Sequence, residues 1–361
     1  MCQFLFEKIL CLLFLTFSLF YCFKLYIKHK NNLIFNMNKN SLRSSFSKSL
    51  MLWFKKEKRK LPFRKTKDPY KVWLSEIILQ QTQMETGIKY YKKFIANFPN
   101  INFLAEAKEE DVYSLWQGLG YYNRAKNLHK TSKIISKNDG VFPKDYEGLI
   151  KLPGIGKYTA SAIASICYNE KRYVVDANVY RVFSRLFGIK TEIDKPQAYT
   201  KFLNTTSSLA KKIKNTGDYN EAIMDFGGSI CLPRKPKCTD CVFKLDCFAN
   251  KNNLVEALPT KKPKLKIKTR YFNYFVFEHK NVFLYQKRIN KDIWQNLFEF
   301  YLVEEKNSKK ALQLIKNKIQ KKLPEPEKSN VVTQLSHQKI NVVFYNFNID
   351  KKEDLNTIKE T

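Results

Sequence analysis

The segment "LPGIGKYTA", residues 152–160, has the pattern of a tight turn that leads into a helix and could bind a ligand. Leu152-Pro153 enters the turn, and Gly154 and Gly156 flank one apolar residue just before an apolar helical pattern. Such a turn leaves backbone N–H groups free at a helix N-terminus, where a phosphate binds well. We therefore predict a phosphate-binding turn built on the two glycines.

Half of the eight cysteines form a second such segment. Cys231, Cys238, Cys241 and Cys247 lie within seventeen residues. Clustering of this kind in a cysteine-poor chain indicates a metal site in a reducing compartment and not a disulfide framework. Four thiolates can hold a tetrahedral zinc ion or an iron–sulphur cluster. The single short Cys-x2-Cys pair favours iron–sulphur, and zinc stays open on spacing alone.

Two carboxylates stand in apolar surroundings. Glu76 lies in a helical pattern beside Trp73 and Ile77, which indicates partial burial and the raised pKa that a general acid needs. The alternative for Glu76 is a solvated surface acid. Asp176 follows the apolar "YVV" and precedes an apolar helix, and from the residues alone a simple helix N-cap is favoured there.

The charge of the chain points to an anionic partner. Lys and Arg number 65 against 33 Asp and Glu, a formal net charge of +32. This balance favours nucleic acid first and an acidic membrane surface second. A lysine-rich compositional bias of the whole proteome would give the same number, so charge alone does not decide.

The elements that must position these residues fall into two patterns. From about 41 to 250, apolar residues recur every three or four positions, which predicts a helical body. "LPTKKPKLKIKTR" (258–270) has the composition of a linker. Aromatic and β-branched runs follow around a turn at 279–281, then a helix over 308–323 and a strand over 341–349. These predict a small α+β domain.

The N-terminus carries an uncharged apolar run, "ILCLLFLTFSLFYCF", at 9–23. It is short for a membrane span, which needs about 20 residues, and it lacks a small-x-small cleavage site. We keep three interpretations: translation that starts at Met37, a membrane anchor, and a secretory signal. The first two leave the rest of the chain in the cytoplasm, which is the location we expect.

Several motifs together resemble one known family. Two of these motifs are the four cysteines and "LPGIGKYTA". The others are "LPFRKTKDPYKVWLSEIILQQTQ" (61–83), "WQGLGYYNRAKNLH" (116–129) and "VVDANVYRV" (174–182). In this order they resemble the helix-hairpin-helix DNA glycosylases of the endonuclease III superfamily, and most of all the MutY-type adenine glycosylases. The resemblance covers about 45 to 350.

That resemblance implies a fold and a domain organisation. We expect a mostly α helix-hairpin-helix glycosylase domain with an iron–sulphur cluster loop over 231–247, plus a small α+β Nudix-like C-terminal domain. The expected bounds are 1–36 for the apolar segment, 37–250 for the glycosylase domain, 251–268 for a linker and 269–361 for the Nudix-like domain. The four cysteines would hold a [4Fe–4S] cluster.

The resemblance also implies catalytic roles. Glu76 would protonate the adenine leaving group and later handle the hydrolytic water, and Asp176 would stabilise an oxocarbenium-like sugar. Asn178 would orient the pair, and Tyr158 would hydrogen-bond a carboxylate. Ala177 replaces the usual glycine of the motif after the aspartate, a departure that leaves the carboxylate in place.

Further positions would contact DNA. A wedge of Gln81, Thr82, Leu119 and Tyr121 would enter the duplex, and the hairpin glycines Gly154 and Gly156 would hold a phosphate. Arg64 and Glu221 would contact the extruded adenine. Ser336 and His337 would recognise 8-oxoguanine. The recognition loop reads "QLSHQK", with Leu335 in place of the family's phenylalanine.

The function implied is base-excision repair. We expect a monomer that binds double-stranded DNA and removes adenine opposite 8-oxoguanine or guanine. Tyr158 stands where the endonuclease III branch has a lysine, which implies a monofunctional enzyme without lyase chemistry. The alternatives are an endonuclease III-type glycosylase and lyase for oxidised pyrimidines, and a non-catalytic DNA-binding protein that carries a metal cluster.

Overall fold

A computed structural model describes residues 42–262, 267–295, 297–319, 323–335, 338–352 and 358. The apolar segment 1–36 and the recognition candidates Ser336 and His337 lie outside the described residues. The chain divides into two compact units, Met1–Lys262 and Pro263–Thr361. That division falls inside the predicted linker; the predicted domain bounds themselves stay a prediction.

The described part of the first unit is helical, which confirms the predicted helical body. Short 3-10 turns at Pro62–Lys65 and Cys238–Asp240 accompany the α-helices. The α-helices are α1 (42–57), α2 (Pro69–Leu79), α3 (Met84–Asn97), α4 (Ile101–Glu106), α5 (Glu109–Trp116), α6 (Asn123–Ser136), α7 (Tyr146–Leu149), α8 (Lys157–Tyr168), α9 (Ala177–Phe187), α10 (Pro196–Leu209), α11 (Thr216–Ser229) and α12 (Phe248–Lys251). Within the described ranges, no helix is both long and apolar enough to cross a bilayer.

Helix α8 joins two apolar cores. One core packs α1, α9 and α11 around Phe46, Phe183 and Phe226, and the other packs α2 to α6 around Trp73 and Trp116. Ala162 of α8 belongs to the first core, whereas Ala160, Ile163 and Ala164 belong to the second. Small residues on successive faces let one helix be buried on both sides. The first turn of α8 therefore lies where the two cores meet.

Two glycines bring α11 close to its neighbours. A Cβ on Gly217 would lie 2.8 Å from the Ile166 Cα atom of α8, and one on Gly227 would lie 2.6 Å from the Asn178 Cβ atom of α9. Real Cβ atoms do not approach that closely, so a side chain at either position would push the helices apart. The close packing fixes the start of α9 against α11.

The second unit is a mixed sheet with one described helix. Its strands are β1 (Lys268–His279), β2 (Val282–Phe283), β3 (Gln286–Lys287), β4 (Phe298–Glu299), β5 (Tyr301–Glu304), β6 (Glu327–Gln334) and β7 (Gln338–Asn348). The order is β2-β1-β7-β6, with β5 also on β1 and with β3 paired to β4. Strand β1 runs parallel to β7, and α13 (Ser308–Ile319) packs Ala311 and Ile315 into an aromatic core.

This arrangement confirms the predicted small α+β region and refines it. The hairpin joins β1 to β2 through Lys280 and Asn281, whose φ angles of 46° and 65° are left-handed. The predicted second strand, "VFLYQKR", is split into the short strands β2 and β3. Strand β6 was not predicted, since almost all of its residues are exposed and it shows no apolar alternation.

Candidate active site

Glu76 lies in the middle of α2, between side chains of the second core. Trp73 and Ile77 are buried, and Glu76 itself is only partly exposed. Burial is the main cause that raises the pKa of Glu76 to about 7, and a hydrogen bond from Tyr158 and the charge of Arg64 oppose the increase. A carboxyl group with such a pKa can hold a proton near neutral pH and can also release it.

Asp176 is the N-cap of α9, as the sequence suggested, and it is also part of this site. Its Oδ1 atom accepts from the backbone N–H of Val179 at 2.8 Å, and its Oδ2 atom accepts from the Asn178 amide at 2.7 Å. Burial raises the pKa of Asp176, while these hydrogen bonds and the charge of Arg181 favour the anion. Asp176 and Glu76 interact electrostatically, so capping does not exclude a catalytic role.

Arg181 fixes the orientation of Asn178. Its Nη2 atom donates to Asn178 Oδ1 at 2.7 Å and to the Gly227 carbonyl at 2.7 Å, and its Nε atom donates to the Cys231 carbonyl at 2.6 Å. With Oδ1 used in this way, the amide nitrogen of Asn178 points at Asp176. No signal in the sequence singled out Arg181, although it lies in the "VVDANVYRV" motif.

Tyr158 stands in the first turn of α8 and faces both carboxylates. Burial and the nearby Glu76 and Asp176 charges raise the pKa of its hydroxyl well above the ordinary value. The hydroxyl donates to Glu76, and it lies 3.1 Å from the Met224 sulphur. The neighbouring Lys157 is exposed, and its ammonium lies over the Tyr199 ring, 5.2 Å from the centroid. The phenol, not the amine, therefore faces the site.

Arg64 and Glu221 form a close ion pair beside Glu76. The Arg64 Nη1 atom lies 2.7 Å from Glu221 Oε2, and its Nη2 atom lies 3.2 Å from Asp225 Oδ1. Asp225 Oδ1 also accepts hydrogen bonds from two atoms of Arg59, Nε at 2.8 Å and Nη2 at 2.6 Å. Arg59 and Asp225 were not predicted. Arg64 and Glu221 both change the pKa of Glu76.

Residues 74–207 match the HhH-GPD superfamily of base excision DNA repair proteins. The curated adenine DNA glycosylase of Buchnera aphidicola subsp. Acyrthosiphon pisum is 42% identical over 275 residues, which are 76% of this chain and 78% of that protein. The one from Buchnera aphidicola subsp. Baizongia pistaciae is 38% identical over 304 residues, 83% of this chain and 84% of that protein. The chain belongs to the adenine DNA glycosylase family.

A solved structure agrees with this membership at the level of the fold. A thermostable thymine-DNA glycosylase superposes with a TM-score of 0.53 and 27% identity, over 59% of this chain and 98% of that one. The resemblance in the sequence and the predicted helix-hairpin-helix fold class are thereby confirmed. Membership in this family also speaks against the endonuclease III-type alternative.

The predicted wedge and phosphate-binding residues of this adenine glycosylase homologue lie on two loops and a hairpin. Gln81 and Tyr121 are exposed and hold left-handed φ angles of 54° and 49°. Thr82 is partly exposed, whereas Leu119 is buried, with 8% of its surface exposed. Leu119 therefore packs in the second core in the structure as described, and its place in a wedge stays a prediction.

The hairpin between α7 and α8 has the geometry that the glycines suggested. Gly154 has a left-handed φ of +75°. A Cβ atom on Gly154 would lie only 2.6 Å from the side chain of Asn127. Gly156 is the N-cap of α8, and within the described part of the chain no side chain caps this helix. The first N–H groups of α8 are consequently available to an anion.

Arg124 is a residue that the sequence analysis missed. Its guanidinium donates to carbonyls at the end of α2 and in the loop before α6, and burial lowers its pKa to about 10. It also lies over the rings of Trp116 and Tyr121, at 5.0 and 5.6 Å. The acceptors are the carbonyls of Ile77, Ile78, Gln80, Leu119 and Gly120, at 2.6–3.2 Å. One cation thus ties the loop of Gln81 to the loop of Tyr121.

The four cysteines are free thiols that line one small cavity. Cys241 interacts electrostatically with the other three. Among the described residues, no set of three or more His, Cys, Asp or Glu side chains is arranged to hold a single metal ion. Four thiolate donors around one cavity have the chemistry to hold an iron–sulphur cluster or a zinc ion, so the identity of the group stays a prediction.

A buried arginine of α9 holds the cysteine loop in place. Arg185 Nη1 donates to the Leu232 carbonyl at 2.6 Å and lies 3.5 Å from the Cys231 sulphur, and its Nη2 atom donates to the Pro233 carbonyl at 3.1 Å. An N–H directed at a cysteine sulphur is the kind of outer contact that orients a metal ligand. The loop is therefore anchored to the helix that begins at Asp176.

Proposed function

We propose that this protein hydrolyses the N-glycosidic bond of adenine mispaired with 8-oxoguanine or guanine in double-stranded DNA. Removal of adenine agrees with the name of its curated relatives, adenine DNA glycosylase. One observation of the site carries the proposal: Glu76 has a pKa of about 7 and shares an enclosed site with Tyr158 and Asp176. A weak acid at neutral pH beside a second carboxylate suits cleavage of a bond to a sugar.

The mechanism begins with a proton from Glu76. The carboxyl group protonates a ring nitrogen of adenine, the C–N bond breaks, and its electron pair leaves with the base. The sugar carbon becomes oxocarbenium-like, and the Asp176 carboxylate stabilises its positive charge. The Glu76 carboxylate then takes a proton from water as the water oxygen bonds to the sugar. Asn178 and Tyr158 hold the two carboxyl groups in position.

Access to the bond requires that the adenine leave the duplex. Extrusion costs a few kcal/mol, and side chains that fill the gap offset part of it. The wedge would consist of Gln81, Thr82, Leu119 and Tyr121. The backbone N–H groups at the hairpin glycines would hold a phosphate, and Arg64 and Glu221 would contact the extruded base with opposite charges.

Tyr158 supports a monofunctional reaction. A phenol has no amine nitrogen and so cannot form a Schiff base with the sugar, and the Lys157 ammonium lies over the Tyr199 ring instead. Borohydride should therefore trap no protein–DNA adduct during turnover. An efficient adduct that disappears in Lys157→Ala would revive lyase chemistry.

The cysteine loop would hold a [4Fe–4S] cluster through Cys231, Cys238, Cys241 and Cys247. When bound, the cluster supplies a rigid link among four points of the loop, and we assign it a structural role. The basic loop residues Arg234, Lys235 and Lys237 would then face a DNA phosphate. Iron content and visible absorbance of the purified protein test the assignment, and replacement by zinc would refute it.

The second unit would recognise 8-oxoguanine as a Nudix-like domain, with Ser336 and His337 in contact with the damaged base. We further propose that the protein acts as a monomer in the cytoplasm, where its DNA substrate is. The domain bounds 37–250 and 269–361 go with this assignment.

A base-release assay tests the proposed function. Duplexes carry adenine opposite 8-oxoguanine, adenine opposite guanine, or thymine glycol, and the free base is identified by chromatography. We expect adenine from the first two and nothing from the third, with Glu76→Gln as the inactive control. Release of thymine glycol without adenine would support the endonuclease III-type alternative and overturn the proposal.

A further inference from the structure

Strands β3 and β4 form a two-stranded sheet of their own in the second unit. Lys287 of β3 lies opposite Phe298 of β4. Side chains that lie opposite each other on paired strands share one face, and their neighbours along each strand lie on the other face. We call residues 285–289 and 298–300 the β3–β4 ribbon, which therefore has two distinct faces.

One face of the β3–β4 ribbon carries a buried network of charges. The side chains of Arg288 and Glu299 are 8% and 11% exposed, and the two form an ion pair. Arg288 also lies 3.0 Å from Asp292, and the Tyr274 hydroxyl donates to Glu299 at 3.0 Å. Arg270 pairs with Asp292 at 2.8 Å. These contacts fix the orientation of the ribbon on the second unit.

The other face of the β3–β4 ribbon exposes large apolar side chains. Tyr285 is 57% exposed, Phe298 is 71% exposed and Ile289 is 76% exposed. Lys287 stands between Tyr285 and Ile289 along the chain and is exposed as well. Single exposed apolar side chains are ordinary, but several of them on one fixed ribbon form a patch of the kind that marks a binding surface.

The Tyr285 ring already takes part in a stack. It lies on the Phe300 ring, with centroids 5.0 Å apart and an angle of 26° between the planes. Phe300 in turn packs against the core that contains Phe272 and Ile340. The core thus supports one face of the Tyr285 ring, and the exposure of this residue leaves the other face available. A flat aromatic ligand would continue the stack.

The charge of the same segment is positive. Lys287 and Lys291 are exposed, whereas the two acids nearby, Asp292 and Glu299, both pair with Arg288. A supported aromatic ring beside a lysine suits an unpaired nucleic-acid base, because the base stacks on the ring while the lysine meets a phosphate. The parallel stack favours such a base over a lipid chain or an aliphatic peptide.

We propose that the exposed face of the β3–β4 ribbon binds an unpaired segment of a DNA strand, with one base stacked on Tyr285, an apolar contact at Phe298 and a phosphate on Lys287. Stacking tolerates every base, so the site takes any sequence. Binding here needs neither a mispair nor the acid Glu76. The inference therefore goes beyond the proposed function.

Photo-crosslinking of the full-length protein tests the site. The probe is a single-stranded oligothymidylate of about 12 nucleotides, within the range that such sites cover, in which one thymine is replaced by 5-iodouracil. Irradiation links the iodouracil to an aromatic ring that stacks on it, and mass spectrometry identifies the linked peptide. We expect the link at Tyr285 or Phe298. Links confined to the first unit would overturn the inference.

Variants test the same contact by fluorescence anisotropy. Tyr285→Ala with Phe298→Ala should weaken binding of the oligonucleotide about tenfold, whereas Tyr285→Phe should keep the affinity because phenylalanine still stacks. The matched control is Phe103→Ala, a 54% exposed aromatic residue of the first unit, which should change nothing. Lys287→Gln should reduce the slope of log affinity against log salt by about 0.7. An unchanged affinity of the double variant would refute the site.

The same double variant distinguishes the other occupants of the patch. Anionic phosphatidylglycerol vesicles that bind the wild type but not the double variant, with oligonucleotide binding unchanged, would assign the patch to a membrane and overturn the inference. A dimer in analytical ultracentrifugation that the double variant abolishes, again with oligonucleotide binding unchanged, would assign it to a second copy of the chain. Loss of oligonucleotide binding together with adenine release within twofold of the wild type would support the inference. Wild-type protein that binds the oligonucleotide through the ribbon but releases no adenine would refute the proposed function alone.

Discussion

Glu76→Gln should make the protein more stable while abolishing base release. Burial raises the pKa of Glu76 from 4.5 to about 7, so the folded protein holds a proton there that the unfolded chain has lost. A difference of this size corresponds to about 3 kcal/mol of folding free energy lost above pH 7. The native state binds more protons between the two pKa values, so stability falls as pH rises through that window. Glutamine is neutral at every pH and removes this loss.

The pH dependence isolates the effect from the hydrogen bonds that the substitution also changes. The contribution of Glu76 to stability should become about 2 kcal/mol less favourable between pH 5.5 and pH 8, and the lost hydrogen bonds cancel in that difference. Urea unfolding of both proteins at the two pH values measures it, followed by the helical signal. The gain in stability of Glu76→Gln should thus be larger at pH 8 by about 2 kcal/mol. An equal gain at both values would show that Glu76 is not a buried acid.

The same pKa sets the pH profile of the wild-type enzyme. A general acid with a pKa of about 7 is about nine-tenths protonated at pH 6 and about one-tenth at pH 8. The single-turnover rate of adenine release should fall about tenfold over that range. A rate that stays flat from pH 6 to 8 would contradict the assignment of the acid.

Three further predictions follow from other parts of the site. Arg124→Lys keeps the charge but loses the planar set of donors that binds the carbonyls of both loops. It should lower the free energy of unfolding by about 2–4 kcal/mol and weaken duplex binding. Unchanged urea unfolding and unchanged duplex affinity would show that the two loops do not depend on Arg124. Asp176→Asn should lower the single-turnover rate of adenine release at least about a hundredfold, because the sugar cation loses its counter-charge. Binding to an abasic duplex should persist. A rate within tenfold of the wild type would remove Asp176 from the mechanism. A chain that ends at Lys262 should keep the iron absorbance and cleave adenine, yet lose its preference for 8-oxoguanine over guanine; full discrimination by that shortened chain would show that recognition does not depend on the second unit.

Helix positions and helix ends could be predicted from the sequence because their causes are local. Asp176 illustrates this, since a carboxylate before an apolar helical run caps that helix wherever it lies. Its proposed catalytic role could be inferred only from the family resemblance, because the residues that bury Asp176 come from distant segments. The split of "VFLYQKR" into two strands likewise depends on partners elsewhere in the sheet.

The contacts that complete the site carried no local pattern. Asp225 meets Arg59 and Arg64 across more than 160 residues of sequence, and no spacing rule connects them. Arg124 binds backbone carbonyls, which every residue has, so its acceptors leave no mark in the sequence. The roles of Asp225 and Arg124 can therefore be identified only from the folded structure.

Helix α9 connects the cysteine loop to an aspartate of the candidate active site. Asp176 caps its first turn, while Arg181 and Arg185 farther along donate to the carbonyls of the cysteine loop. Loss of the proposed cluster would loosen that loop and weaken the bonds from these two buried guanidinium groups to the carbonyls of Cys231, Leu232 and Pro233. The helix and its aspartate would then lose their support together. If the loop holds the cluster as proposed, a cell that runs short of iron would accumulate unrepaired mispairs even with normal amounts of the polypeptide, and its mutation rate would depend on its iron supply.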